Sequence, residues 1–87
     1  MVNATVENEK VGIKLSDGES FSVPSGQTWK VTVSGGTSTD NLHDGGFNHE
    51  LNLGNNLQIE DLILVGGQSW QADTEDGLYV GGIVIDS

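Results

Sequence analysis

The chain of 87 residues contains no cysteine, so disulfide bonds and thiolate chemistry are excluded. It also lacks arginine, and its three lysines stand against 13 acidic side chains, which gives a net charge of −10. The lysines are Lys10, Lys14 and Lys30, so the chain from Val31 onward has acids but neither lysine nor arginine. Binding to nucleic-acid phosphates or to anionic membranes requires lysine and arginine. The composition therefore predicts no nucleic-acid partner and no membrane partner.

Long apolar runs are missing as well. No stretch approaches the roughly 20 apolar residues that a membrane-spanning helix needs, and no apolar segment follows Met1 as it would in a secretory signal. We therefore expect a protein that is made in the cytoplasm and that stays there or leaves the cell inside a larger assembly.

The acidic side chains are combined with tryptophan, phenylalanine and many β-branched residues, which is typical of a folded and not of a disordered acidic chain. A large net charge destabilises a compact state by self-repulsion, and concentrated salt screens that repulsion. The acidity resembles that of proteins from salt-loving organisms, although an ordinary acidic domain is the alternative. A chain this short buries a small core, so oligomerisation is the remaining source of added stability.

Apolar residues alternate with polar ones at a period of two, which predicts short β-strands separated by glycine-containing turns. We expect residues 1–87 to form one all-β domain, an antiparallel, jelly-roll-like β-sandwich of about eight strands with no helix of note. The apolar run Leu62–Val65 predicts a strand covered on both faces. A bulge at Gly81-Gly82 is needed if Val80 and Ile83 share a face. Residues 35–46 are expected to form a loop.

Two clusters could bind metal ions. His43, His49 and Glu50 are possible transition-metal ligands of a cupin-like site, but adjacent residues of a strand point to opposite faces, so His49 and Glu50 would not readily share an ion. The acids of the second cluster, at alternate and adjacent positions before a glycine, resemble the start of a calcium loop and could hold Ca²⁺ or Mg²⁺ loosely. They are Asp73, Glu75 and Asp76. A solvated turn is the simpler interpretation, and we predict no tightly bound cofactor.

Catalytic patterns are missing, so we expect a protein that is not an enzyme. No serine lies in a Gly-x-Ser-x-Gly motif, and the adjacent acids Glu60 and Asp61 would diverge on a strand. Aromatic side chains are the remaining binding chemistry. Trp29 is in phase with core valines, whereas Trp70 and Tyr79 are candidates for a subunit interface or for a carbohydrate-stacking surface.

One stretch is similar to known proteins. Residues 21–33, with the sequence FSVPSGQTWKVTV, resemble the opening hairpin of β-sandwich modules from the fibres, turrets and capsid-decoration proteins of tailed viruses. In those modules a strand ends at Val-Pro-x-Gly and the chain returns in a strand that contains tryptophan. Residues 62–70 and 79–85 are similar to their closing strands. With the acidity, the resemblance implies a virion protein of a virus that infects halophilic archaea, and it implies a homotrimer.

These observations lead to a functional hypothesis. We expect a non-catalytic structural protein of the virion surface, made in the host cytoplasm, that self-associates and docks on a major capsid or tail protein. The lysines place the docking side in the first third of the chain. The alternatives are a carbohydrate-binding module that uses Trp70 and Tyr79 and, after it, a small cupin-like metalloprotein.

Overall fold

The computed structural model describes residues 5–7, 9–46 and 49–86, and these contain nine strands and one turn of 3₁₀ helix at Gly54–Asn56. The strands are β1 (Thr5–Glu7), β2 (Lys10–Leu15), β3 (Ser20–Ser22), β4 (Thr28–Gly35), β5 (Asn41–His43), β6 (Glu50–Asn52), β7 (Gln58–Val65), β8 (Ser69–Asp73) and β9 (Leu78–Asp86). In the described ranges, no helix has the length and apolar character needed to cross a membrane.

The strands form two antiparallel sheets. The large sheet has five strands in the order β1-β2-β9-β4-β7, and the small sheet has four in the order β3-β8-β5-β6. Residues of both sheets contribute to one hydrophobic cluster between them. The prediction of an all-β, antiparallel sandwich is confirmed, and β1, at the edge of the large sheet, is the strand beyond the expected eight.

Strands β2 to β9 follow the path of one long hairpin that is rolled up. Strand β2 pairs with β9, β3 with β8, β4 with β7 and β5 with β6, each time antiparallel. The outermost pair Lys10–Ile83 and the innermost pair His43–Glu50 are centred on the same point, between residues 46 and 47. Folding the pairs alternately into two sheets produces the jelly roll, as predicted.

The core follows from the alternation of the strands. Alternate residues are buried along β2, from Trp29 to Val33 in β4 and at Leu78 and Val80 in β9, and Trp29 is fully buried in the cluster. Its ring stacks on Phe21 of the small sheet, with centroids 6.2 Å apart and planes inclined by 8°. The indole N–H donates a hydrogen bond to Gln27 Oε1 at 2.9 Å. The stacking of Trp29 on Phe21 joins the two sheets. The burial of Trp29 confirms its predicted core position.

The segment that resembles a viral hairpin is folded differently here. Strands β3 and β4 lie in different sheets, so residues 23–27 cross from the small sheet to the large one and do not join two paired strands. The turn itself is closed by a hydrogen bond from Gln27 N–H to the Pro24 carbonyl at 3.1 Å. The chain crosses there because Phe21 and Trp29 bury their rings against each other from opposite layers.

The structure bears on three local expectations. Strand β7 is an edge strand whose Leu64 is buried while Ile63 is half exposed, so the run Leu62–Val65 is covered on one face by this chain. Strand β9 pairs regularly with β2 through Gly81 and Gly82, without a bulge. Its register against β4 shifts only near residue 85. The expected loop 35–46 contains β5, because Leu42 supplies a buried core side chain.

Candidate docking face

The outer face of the large sheet carries all three lysines. Cross-strand pairing places Lys10 beside Ile83, Ile83 beside Lys30, and Lys30 beside Ile63, in one row across four strands. One end of the sheet has Lys14 paired with Tyr79. The lysines, which lie early in the chain, are therefore brought together with residues from the later part that has no lysine or arginine. That later part supplies the apolar side chains of this surface.

Large apolar side chains are concentrated on the same face. Of the six exposed large hydrophobic residues in the described part of the chain, five lie on the outward positions of β7 and β9, and each is 47–49% exposed. They are Ile63, Val65, Tyr79, Ile83 and Ile85. We call these residues, with Lys10, Lys14 and Lys30, the lysine face. Clustered apolar side chains at a surface are typical of an interaction site.

The lysines are only partly neutralised by this chain. Lys30 Nζ lies 3.7 Å from Asp61 Oδ1, and both side chains are substantially exposed, so this pair contributes little to stability. Lys10 and Lys14 form no ion pair with a carboxylate among the described side chains. Strand pairing also places Glu7 opposite Lys10, so Lys14 is the lysine with neither an ion pair nor a cross-strand acid among the described residues.

The outer face of the small sheet has a different chemistry. Cross-strand pairing puts Ser20 beside Gln71, Gln71 beside His43, and His43 beside the exposed Glu50. The hydroxyls of Ser22 and Ser69 are 2.6 Å apart. Among the described residues, this face is polar and has no exposed large hydrophobic side chain like those of the lysine face.

The fold places two of the predicted transition-metal ligands, His43 and Glu50, side by side on paired strands, but it does not gather all three into one group. His43 is buried, and its Nδ1 accepts a hydrogen bond from Gly45 N–H at 3.0 Å. His49 is exposed, and its Nδ1 lies 3.2 Å from Asp44 Oδ2. No group of three metal-binding side chains occurs in residues 5–7, 9–46 and 49–86. The hypothesis of a site that combines His43, His49 and Glu50 gains no geometric support.

The acidic turn before β9 is held by hydrogen bonds of its own. Asp73 Oδ2 accepts from the amide of Asn41 at 3.3 Å, and Gly77 N–H donates to Thr74 Oγ1 at 2.9 Å. Glu75 and Asp76 are exposed. These contacts are those of a structured turn, and loosely held Ca²⁺ or Mg²⁺ remains a prediction.

Trp70 and Tyr79 do not form one aromatic surface. Trp70 is 8% exposed and lies in the hydrophobic cluster, in register with Phe21, so the expectation of a tryptophan at a free surface is wrong. Its inward position follows from the alternation of β8, in which Ala72 is also buried. Tyr79 is 48% exposed and lies on the other sheet. Among the described aromatic side chains, Tyr79 is therefore the one that is open to a binding partner.

Asp40, in the turn before β5, is a buried charged residue that the sequence did not lead us to expect. Its carboxylate is almost fully buried and accepts hydrogen bonds from Gly36 N–H at 3.1 Å, Thr37 N–H at 3.3 Å and Thr37 Oγ1 at 2.9 Å. Burial raises the pKa of this carboxyl, but the hydrogen bonds from Thr37, Gly36 and Thr74 outweigh it, so the pKa lies below its ordinary value. The sequence feature that could have indicated this role is an aspartate at the end of a turn rich in glycine, serine and threonine.

Comparisons with known proteins find no match: no family matches this chain, and neither does any curated protein or solved structure.

Proposed function

We propose that this protein is a non-catalytic structural module that docks through the lysine face on an acidic protein surface. One observation supports this proposal most directly. In a chain of net charge −10, all three lysines and five exposed apolar side chains lie on one face of the large sheet. Following the resemblance of residues 21–33, the partner is a major capsid or tail protein, and the module decorates the virion as a capsid, turret or fibre component.

The two kinds of side chain on the lysine face have different roles in docking. Burial of Ile63, Val65 and Ile83 supplies affinity that persists in concentrated salt, because the hydrophobic effect is not screened. The lysines select a partner that presents carboxylates and disfavour one that presents bases. Selection by charge is weakened by salt, whereas the apolar contact is not.

We propose a head-to-tail contact for self-association, in which the lysine face of one copy meets a different surface of the next copy. A two-fold contact between two lysine faces would bring the lysine-bearing surfaces together, which costs energy unless carboxylates intervene. In a ring of three copies, each contact joins two different surfaces of neighbouring copies, so an edge of the lysine face can meet an acidic surface of the neighbour while the rest stays open for the capsid or tail protein. We therefore retain the homotrimer as the proposed oligomer, and light scattering in molar salt measures it directly.

The test of docking removes charge from the two lysines that have no described carboxylate partner. Lys10→Gln/Lys14→Gln is compared with Gln71→Glu/Asn52→Glu on the outer face of the small sheet, since both changes make the net charge more negative by two units. Attachment to purified, stripped virus particles is measured in KCl from about 0.15 M to about 1 M, and the variants are compared at the lowest concentration, because molar salt screens the lysine charges. We expect the lysine variant to bind about tenfold more weakly, or about 1.4 kcal/mol, and the control to bind as the unmodified protein does.

Two results would overturn the proposal. One is the absence of the protein from purified particles of the virus that encodes it. The other is equal attachment of both variants, which would place the docking surface away from Lys10 and Lys14.

A further inference from the structure

A groove of about 470 Å³ opens at the end of the large sheet where the turns before β5 and β9 meet. Its lining includes Lys14, Ser34, Gly36, Asp76, Gly77 and Tyr79. The volume is in the range of small-molecule sites. The groove adjoins the lysine face at Lys14 and Tyr79, but its other walls belong to turns that the docking proposal does not use.

One wall is a tyrosine ring held flat on the sheet. A Cβ atom added at Gly81 would lie 3.1 Å from Tyr79 ring atoms, and one added at Gly12 would lie 3.5 Å from the tyrosine hydroxyl. The ring therefore rests on a floor of two paired glycines, Gly12 and Gly81. Because the backbone covers one side of the ring, its other side is presented to the solvent, and the residue is 48% exposed.

The polar groups of the groove include both donors and acceptors. Lys14 supplies an ammonium donor, Asp76 a carboxylate acceptor, and Ser34 a hydroxyl that does either. A purely anionic ligand would be repelled by Asp76, and a purely apolar one would leave these groups unpaired. A ring with an apolar C–H face and vicinal hydroxyls, each both donor and acceptor, satisfies the tyrosine and the polar groups together.

The backbone that lines the groove is held in place from beneath. Gly36 N–H donates to the buried Asp40 carboxylate at 3.1 Å, and Gly77 N–H donates to the hydroxyl of the buried Thr74 at 2.9 Å. The turns are therefore ordered before a ligand arrives, which lowers the entropy cost of binding.

We propose that this groove binds a pyranose ring of a hydroxyl-rich glycan, with the C–H face of the sugar stacked on Tyr79. Its hydroxyls donate to Asp76 and accept from Lys14 and Ser34. This inference goes beyond docking on a protein, because it assigns a second ligand class to one end of the sheet.

The test is a titration of the ¹⁵N-labelled full chain with the methyl α-pyranosides of glucose, mannose and galactose in molar KCl. We expect at least one to shift saturably the amides of Gly36, Gly77 and Tyr79, with a Kd of about 1–10 mM, as is reasonable for one sugar ring. Tyr79→Phe keeps the stacking ring and should bind within about threefold of the unmodified protein, whereas Tyr79→Ala should abolish the shifts.

Two further variants separate the groove from the docking surface. Asp76→Asn should weaken glycoside binding several-fold, and Ile83→Ala, on the lysine face outside the groove, should leave it unchanged. The proposal is overturned if none of the three glycosides shifts these amides, or if the shifts persist in a folded Tyr79→Ala variant. Docking is followed separately with the single variant Lys10→Gln, because Lys14 lines the groove and Lys10 does not.

Discussion

The two outer faces of the sandwich are built on the same pleat but carry opposite chemistry. On the large sheet, outward positions are Lys10, Ile83, Lys30 and Ile63 in one row. On the small sheet, the corresponding row is Ser20, Gln71, the buried His43 and Glu50. An apolar outer position costs solubility without strengthening the core. The difference between the faces therefore indicates that the large sheet is suited to being covered and the small sheet to facing solvent.

The largest expected effect breaks the sheet on which the lysine face stands. A Cβ atom at Gly82 would overlap the Lys30 carbonyl oxygen and lie 2.6 Å from Val31 Cα. Gly82→Ala therefore forces β4 and β9 apart, and we expect a loss of about 3 kcal/mol in the free energy of unfolding, measured by urea titration. Gly12→Ala, whose Cβ meets an ordinary contact, is the control and should cost about 0.5 kcal/mol or less.

If Gly82→Ala is as stable as the unmodified protein, β4 and β9 are not packed as closely at Gly82 as described. The pairing that places Lys30 beside Ile83 would then be contradicted.

A smaller effect is expected at the turn that lies behind the groove. Asp40→Asn presents an amide N–H₂ to donors that now bond a carboxylate, which should cost about 2 kcal/mol at neutral pH. Because the folded-state pKa of Asp40 is lowered, its ionisation stabilises the fold above the unfolded-state pKa of about 4. That contribution is lost as the pH falls through the folded-state pKa.

Urea titrations between pH 7 and pH 2 measure this dependence. The difference between Asp40→Asn and the unmodified protein should be constant above about pH 5 and shrink below pH 4. Asp76→Asn removes one charge from a nearby exposed acid and serves as the control. A difference that stays constant down to pH 2 would contradict the role of the ionised Asp40.

The smallest expected effect sharpens the contrast between the faces. Ile63 and Ile83 are about half exposed, so Ile63→Ser/Ile83→Ser should change the free energy of unfolding of the monomer by about 1 kcal/mol or less in dilute solution. The same variant should weaken attachment and self-association, whereas Asn52→Ser on the small sheet should change neither. A stability loss above roughly 3 kcal/mol would show that these isoleucines belong to the core.

The two tryptophans show which core positions can be predicted from the sequence and which cannot. Trp29 alternates with Val31 and Val33, so its core position could be predicted from the period alone. Trp70 stands between Ser69 and Gln71 after a glycine turn, and nothing local distinguishes an inward from an outward position. Its burial depends on pairing with Phe21, which lies 49 positions earlier in the chain.

The lysine face could be predicted only in part. The confinement of lysine to the first third was visible, but the apolar half of the face comes from β7 and β9. Cross-strand register, set by pairs such as Lys10–Ile83, joins the two halves. Likewise, Gly12, Gly81 and Tyr79 are unremarkable separately and form a ring on a glycine floor only after β2 and β9 pair.

The sequence by itself determined the class of the fold, because a period of two, glycine turns and buried β-branched residues specify strands that hide one face. It also determined the charge and hence the kinds of partner that the chain disfavours. Only the tertiary structure shows which residues become neighbours: Lys10 with Ile83, Gly36 with Asp40 and Trp70 with Phe21. Such contacts join distant residues or depend on how a turn folds, and local patterns do not encode them.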